Sequence, residues 1–506
     1  MEERFDVAIV GGGSGGYVAA IRGGQLGMKV ALIEKEKVGG TCLHVGCIPT
    51  KSFLETAGLL ARIRRGQDYG VKVENAGLDY PQLLKRTDRI INQLTRGVEF
   101  LLEKNKVTLI RGEGRLTSPA ALVVRTADGH ERRLSAENVI IATGSAPKAL
   151  PDLPFDGERV INSDQALRLK TVPRSVAIIG AGAVGVEFAS IFNDFGAEVT
   201  LVEMLPALVP LEDGEISTEL ARAFNRRGIR SFTGARAGKV EVGKDGVTLE
   251  VSHDGQQETL RAEVLLVAVG RAGNVSGMGL EGLSVALERG FIEVDHQQRT
   301  AEPGVYAIGD VAGGYLLAHK AMAQGVVAIE SIAGQEVEPV EPQRVPRATY
   351  CRPAIASVGL SEKEARDQGL AIKVGRFPFR ANARALIDGE AEGFAKVVGD
   401  ERSGEILGVH IIGPHATELI AEPTLAKLLE STPWEVGTSI HPHPSLSEVI
   451  GEACGCLGTS LITSSIRQNS SVINSWVVTS HLLQGSLRAS FESDKCPLGA
   501  LLGRQL

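Results

Sequence analysis

Along the chain, short and continuously apolar runs alternate with helical stretches, and one such arrangement occurs twice. Residues 5–10 (FDVAIV) form a run of strand length that ends in the turn GGGSGG (11–16). A helical stretch follows, and then a second apolar run, KVALIE (29–34). Residues 175–179 (SVAII) end in GAGAVG (180–185), again followed by a helical stretch and a second run, EVTLVE (198–203). In both copies the acid closing the second run, Glu34 or Glu203, lies 23 positions beyond the first glycine. Runs without polar alternation predict parallel strands buried beneath helices, so each copy predicts a βαβ unit. Each unit is followed by another buried-type strand ending in glycine, at 139–144 and 264–270. A third run of the same form, GVYAIGD (304–310), is a candidate to return to the first sheet.

The pattern changes after residue 343. Residues 343–357, with Pro346 and Pro353, read as a connection. Short strands are expected at 393–398 and 404–412, and a helix around 416–430. After residue 458 no period survives. Thirteen of the last fifty residues are Ser or Thr, too polar a stretch to offset an ordering entropy of ~1–2 kcal/mol per residue.

Length and composition narrow the possibilities. At 506 residues the chain has room for about three domains. With 43% hydrophobic and 23% charged residues it is neither disordered nor fibrous. A net charge of −7, without long runs of one sign, gives no footing for nucleic acid or an anionic membrane. No stretch is long and apolar enough for a transmembrane helix. The N-terminus runs directly into a strand rather than a secretion signal, so a cytoplasmic location is expected. Sixty glycines with only 4% aromatics point to cores of Val, Ile, Leu and Ala under tight turns. Six cysteines are too few for a disulfide scaffold.

One glycine-rich turn between strand and helix is a weak sign of nucleotide binding. Two, each with its acid some twenty residues on, are not. The turn lets backbone approach a pyrophosphate, the helix N-terminus favours the anion, and the carboxylate suits ribose hydroxyls. Two dinucleotides are implied, and Glu203 in the second unit would repel a 2′-phosphate, favouring NAD over NADP.

The stretch GGTCLHVGCIPTK (39–51) follows the first unit and carries Cys42 and Cys47. Paired cysteines could be a metal half-site, with His441 and His443 as a distant second half, or inert thiols. A redox pair is favoured by the neighbouring dinucleotide unit, and no metal is expected. On a straight helix, positions five apart are separated by ~7.5 Å along the axis, too far for a disulfide. The backbone must bend, which Gly46 permits. Pro49 suits a first helical turn, so Cys47 lies at a helix N-terminus, where a thiolate is stabilised.

The segment HPHPSLSE (441–448) admits two readings. Ser445 and Glu448 have capping-box spacing. Alternatively, His443 is a general base oriented by Glu448.

Together these motifs resemble the FAD-dependent pyridine-nucleotide disulfide oxidoreductases. The most discriminating are LAHKA (317–321), Glu203, ATYC (348–351) before Pro353, and residues 413–420, and the resemblance spans about residues 4–453. It implies an α/β fold with two nucleotide-binding Rossmann-like domains, for FAD and NAD, plus an α+β interface domain. The expected boundaries are 1–150 for the FAD-binding domain, 151–275 for the NAD-binding domain, 276–345 for a central segment returning to the FAD domain, 346–456 for the interface domain, and 457–506 for an atypical tail. FAD would be held by Gly11, Gly13, Gly16 and Glu34, with Gly114, Thr143, Gly144, Ser145 and Asp310 completing its site and Ala318 and His319 near the flavin. Lys51 would lie at the flavin, paired with Glu187. NAD would be held by Gly180, Gly182, Gly185, Glu203 and Gly270.

The same resemblance implies a homodimer whose active sites combine Cys42 and Cys47 of one subunit with His443 and Glu448 of the partner subunit. Its activity would be reoxidation of protein-bound dihydrolipoamide by NAD⁺, with a lipoyl domain of a 2-oxo-acid dehydrogenase or glycine-cleavage complex as partner. The alternatives are an NAD(P)H-dependent reductase of disulfides or metal ions and a lipoyl-complex scaffold. Glu203, with no arginine just after it, argues against the first, and the intact cysteine pair against the second. Cys351 reads as a structural thiol, Cys454 and Cys456 as structural thiols or a second redox pair such as some relatives carry near the C-terminus, and His319 and His415 as structural or flavin-proximal. Two features depart from the family: His44 stands where Asn is usual, and the tail has no counterpart.

Overall fold

A computed structural model describes residues 3–458 of the chain. The expected tail 457–506 lies outside them, except for residues 457 and 458, which complete the last helix, Glu448–Gly458. Among the described residues, three sheets of five or more strands organise an α/β fold.

The first sheet has a parallel core in the order Thr108–Arg111, Val30–Glu34, Glu3–Val10, Glu131–Ile141, Val305–Ala307. Ala121–Arg125 extends it antiparallel along the first half of Glu131–Ile141, and Glu113–Ser118 pairs antiparallel with Ala121–Arg125 in turn. The return of residues 304–310 is thus observed. The strand proper covers only Val305–Ala307, and the chain then tightens into a 3₁₀ turn over Gly309–Ala312. Helices Ser14–Gln25 and Ala318–Ile332 cross almost backbone to backbone. A Cβ at Gly15 would lie 2.9 Å from the Ala321 carbonyl oxygen, and one at Gly325 only 2.6 Å from that of Gly15.

The second sheet is parallel, in the order Arg230–Phe232, Glu198–Val202, Ser175–Ile179, Val264–Val267, Val160–Ile161. An antiparallel sheet of Arg236–Val242, Val247–His253 and Gln256–Ala262 covers one face with Val247, Leu249, Val251 and Leu260. The apolar helix Ala183–Phe195 lies on the other. Both βαβ units therefore form as the periodicity predicts, with strands buried along nearly their whole length.

The third sheet is antiparallel: Arg347–Thr349, Ala354–Gly359, Ile406–Gly413, Phe394–Asp400, Ile372–Pro378. The single helix expected around 416–430 is instead two, Ala416–Leu419 and Ala421–Leu428. Pro423 has no N–H to offer the Leu419 carbonyl, so the turn between them is not carried through.

One apolar cluster joins all three bodies: Phe53 and Leu60 from helix Cys47–Arg64, Phe188 and Phe192 from Ala183–Phe195, and Cys351, Ile355 and Ile412 from the third sheet. The rings of Phe53, Tyr80 and Phe195 meet within it at centroid distances of 6.0–6.3 Å. Nearby, the second and third bodies are pinned by charge. Lys396, 1% exposed, places its ammonium 2.8 Å from Asp213, 2.8 Å from Glu215 and 2.9 Å from Glu362. Burial opposes ionisation of both partners. Mutual attraction outweighs it, so Lys396 is held above and Asp213 below its ordinary pKa. No helix among the described residues is long and apolar enough to cross a membrane.

Removing Lys396 leaves the buried Asp213 carboxylate without its counter-charge, while Glu215 and Glu362 keep Arg376; stranding one buried charge typically destabilises by about 3–5 kcal/mol. Lys396→Met is therefore expected to lower the urea midpoint of the full chain markedly. An unchanged midpoint would show that the cluster adds nothing to stability.

Candidate active site

The two glycine turns repeat each other atom for atom. Gly11 and Gly180 have φ of +109° and +99°, and a Cβ on either would strike the carbonyl oxygen of Ala142 (2.2 Å) or Ala268 (2.4 Å). A Cβ at Gly16 or Gly185 would lie 1.9 Å from the carbonyl oxygen of Gly11 or Gly180. By contrast, Gly13 and Gly182 have nothing within 4 Å of such an atom, and each opens onto a helix N-terminus without an acidic residue in its first turn. That open, dipole-positive cradle fits a pyrophosphate.

The acids are fastened in the same way. Glu34 accepts from the N–H of Gly12 (2.7 Å) and of Glu36 (2.8 Å). Glu203 accepts from Ala181 (2.7 Å) and Leu205 (2.8 Å). Both carboxylates are thereby fixed beside the turns, with lone pairs left for sugar hydroxyls. Around the first turn, Gly114 packs against Val10 and Ile33. Thr143 and Gly144 are latched to Asn274, whose carbonyl accepts from the Thr143 hydroxyl (2.8 Å), whose amide donates to the Thr143 carbonyl (2.9 Å), and whose N–H donates to the Gly144 carbonyl (3.0 Å). The Ser145 hydroxyl donates to Asp310 (2.5 Å) and accepts from the Arg271 guanidinium (2.7 Å), so Ser145 supports Asp310 rather than offering a free polar group. Gly270, at φ +110°, has open space where a side chain would stand. Ala318 opens helix Ala318–Ile332, and the His319 ring bonds the Pro346 carbonyl at 2.7 Å.

The cysteine loop is seated directly on the first turn. The N–H of Gly39 donates to the Gly12 carbonyl (2.8 Å), and a Cβ at Gly40 would stand 2.7 Å from the Gly13 Cα. Cys42 lies on the short helix Gly40–His44, and Cys47 begins the helix Cys47–Arg64. The bend expected at Gly46 separates them, so tightly that a Cβ there would lie 2.9 Å from the Thr41 carbonyl oxygen. The two thiols are hydrogen-bonded to each other. That bond lowers Cys42 to about 7 against the opposing effect of burial, helped by Ser14 and the Lys51 ammonium. Cys47 moves the other way, raised by the same bond and by burial. The pair thus surrenders one proton easily and keeps the second. His44 points away, its Nε2 2.8 Å from the Val38 carbonyl.

Lys51 reaches across to the second body. Its ammonium lies 2.9 Å from both Glu187 oxygens and 4.6 Å from the Tyr350 ring centroid. Burial works against the charged lysine, but Glu187 more than offsets it and the net shift is upward. Glu187 also accepts the Tyr350 N–H at 2.8 Å.

In residues 441–448 the two oxygens of Glu448 go to different partners, and the Ser445 hydroxyl pairs with Ser447 at 2.8 Å, so the bond geometry of each reading is present only in part. Glu448 Oε1 is 2.8 Å from His443 Nδ1, while Oε2 accepts the Ser445 N–H at 2.9 Å. The helix itself begins at Glu448 rather than just after Ser445. The His443 side chain is 57% exposed and bonds neither cysteine among the described residues. His441 pairs instead with Glu422 at 2.9 Å, which raises its pKa. Cys351 and Cys454 are buried, and burial pushes both thiols up, Cys454 to about 12.

Four residues escaped the sequence reading: Ser14 and Tyr17 beside the thiols, and Arg271 and Asn274 over the first turn. Only Ser14, inside the glycine turn, had a local signal.

Comparison with known proteins agrees along the chain. A family model described as pyridine nucleotide-disulphide oxidoreductase matches residues 5–325, and one described as the dimerisation domain of the same group matches residues 345–454. The chain is 44% identical over 463 residues to the dihydrolipoyl dehydrogenase of Bacillus subtilis (strain 168), covering 90% of this chain and 98% of the relative. It is 45% identical over 457 residues to the dihydrolipoyl dehydrogenase of Thermus scotoductus, covering 90% and 97%. Among solved structures, LpdA from Mycobacterium tuberculosis superposes with a TM-score of 0.84 at 30% identity, covering 90% of this chain and all of that one.

The lowered thiol predicts a pH profile. Alkylation of the reduced pair by iodoacetamide should rise through pH 7, well below the ~8.5 of an ordinary cysteine, and Lys51→Met should move the midpoint upward. A wild-type midpoint at the ordinary value would show that neither the thiol–thiol bond nor Lys51 activates Cys42.

Proposed function

The chain belongs to the pyridine nucleotide-disulphide oxidoreductase family, and within it we propose that this protein is the flavoenzyme that reoxidises dihydrolipoamide with NAD⁺. The observation that carries this reading is the seating of the Cys42–Cys47 loop on the first glycine turn. A dithiol there lies directly beside the first dinucleotide site and next to a half-buried cation, Lys51.

The two cradles fit adenine dinucleotides, FAD at the first and NAD at the second. FAD, when bound, supplies a two-electron relay between the thiols and NAD⁺. The rest is the work of the chain's own groups. Glu448 fixes the His443 ring through Nδ1, leaving Nε2 to take a proton from the substrate dithiol. The substrate thiolate attacks Cys42 Sγ, the Cys42–Cys47 bond breaks, and Cys47 leaves as a thiolate near the Lys51 ammonium. The second substrate thiol then displaces Cys42, closing the lipoyl disulfide and leaving the pair reduced by two electrons. Glu187 keeps Lys51 charged and in place. Glu203 accepts from ribose hydroxyls and repels a 2′-phosphate.

The same reading includes a homodimer in which His443 and Glu448 serve the cysteine pair of the partner subunit, with the boundaries 1–150, 151–275, 276–345 and 346–456 for its parts. It is supported by the exposed His443 and by exposed apolar residues on the third body, Leu429, Trp434 and Ile440 among them. Lipoyl domains of a 2-oxo-acid dehydrogenase or glycine-cleavage complex are its proposed partners, and the cytoplasm its proposed location.

His443→Gln should slow reduction of the bound flavin by dihydrolipoamide ~10²–10⁴-fold, the usual loss with a general base, and leave flavin reduction by NADH near wild type. Glu448→Gln should cost less. Loss of thermal stability alone would return the pair to a capping role. A second measurement tests the nucleotide: turnover should strongly favour NAD⁺ over NADP⁺, and Glu203→Ala should relax the preference. Equal use of both by the unaltered protein would refute the role of Glu203.

A further inference from the structure

The internal repeat runs further than the two glycine turns. In the first unit the Gly12 carbonyl accepts the N–H of Gly39, three residues before Cys42. In the second, the Ala181 carbonyl accepts the N–H of Val209 at 2.8 Å, three residues before Glu212. Gly39 has φ +105°; Val209, a β-branched residue 2% exposed, is held at φ +42°. Valine in that conformation is strained, and it persists only where its surroundings over-determine it. The surroundings are on both sides. Val209 O accepts the Glu212 N–H at 2.9 Å, and Glu212 is locked in turn. One of its oxygens lies 3.3 Å from Arg347 Nε, and the other accepts the Ser357 hydroxyl at 2.5 Å. Arg347 also donates to the Tyr315 hydroxyl at 2.9 Å, and its remaining Nη2 is buried without a partner. Asp213 caps the next helix, Gly214–Arg226, and accepts Lys396.

From this geometry we propose that Glu212, held by Arg347 and Ser357, is a positioning residue for the second dinucleotide. Where the first unit carries its redox cysteines, the second carries an acidic anchor. Hydrogen bonds run unbroken from the third sheet through Glu212 and Val209 to the carbonyl of Ala181, inside the turn. The other side of Ala181, its N–H, is gripped by Glu203. The turn is thus fixed from two directions, by the ribose carboxylate and by the interface body. The inference rests on assigning that turn to NAD.

The test uses the full-length, FAD-loaded protein. NAD⁺ and NADH are titrated calorimetrically into wild type, E212Q, S357A and R226A, and hydrogen exchange is followed at the amides of residues 181–185. Arg226 is the control, because its 3.1 Å pair with Glu392 joins the same two bodies away from the strap. E212Q should raise the Kd for NAD⁺ about two- to thirtyfold, the range typical of residues that couple to a site without touching it, and speed exchange at 181–185. S357A should do the same more weakly, and it decides the question if E212Q does not fold. R226A should match wild type, and flavin reduction by dihydrolipoamide should be unchanged in all three. Wild-type affinity and exchange in E212Q or S357A would overturn the proposal, as would an equal loss in R226A. A wild-type protein that binds neither NAD⁺ nor NADH would instead refute the nucleotide assignment itself.

Discussion

Everything in this molecule converges on one buried carboxylate. Glu187 sits on the helix of the second βαβ unit, holds the ammonium of Lys51 from the redox helix, and accepts the N–H of Tyr350 at the edge of the third sheet. A carboxylate at 5% exposure is tolerated only when fully partnered, and here each of the three bodies supplies one element of the arrangement. Breaking it would leave a charge stranded beside two reactive thiols. The same contact therefore holds the fold together and supplies the cation that favours ionisation of Cys42.

What the sequence made legible was local. Both glycine turns, with Glu34 and Glu203 closing each unit, depend on residues within two dozen positions of one another, and the structure places them as the periodicity predicts. The bend at Gly46 followed from geometry alone, since two thiols five apart cannot meet on a straight helix. Tertiary matters were not legible. Arg271 and Asn274 lie over a hundred residues from Ser145 and Thr143, and no spacing rule announces such a contact. In residues 441–448 the contacts used by the cap and the dyad do not compete, because His443 and the Ser445 N–H take different oxygens of Glu448. The helix expected at 416–430 divides for a plainer reason: Pro423 withholds the N–H that would carry the turn through.

The duplicated units also show how equal scaffolds acquire different tasks. Identical carbonyl-to-amide bonds leave each glycine turn and lead into a short segment that faces another body. In the first copy that segment carries two thiols. In the second it carries carboxylates, paired with Lys396 and Arg347. The turn itself is indifferent to which.

The returning strand has a consequence for how the protein is made. Glu131–Ile141 finds its last neighbour in Val305–Ala307, and helix Ser14–Gln25 finds its packing partner in Ala318–Ile332. A ribosome that has just finished the first 150 residues has therefore produced a sheet with an open parallel edge and a helix whose glycine face at Gly15 still lacks its neighbour. The second unit, by contrast, draws its whole parallel sheet from residues 160–267, a single continuous stretch of chain. Domains usually mature in the order of their synthesis. In this chain the sheet begun first receives its last strand only after every strand of the sheet inserted into it has been synthesised.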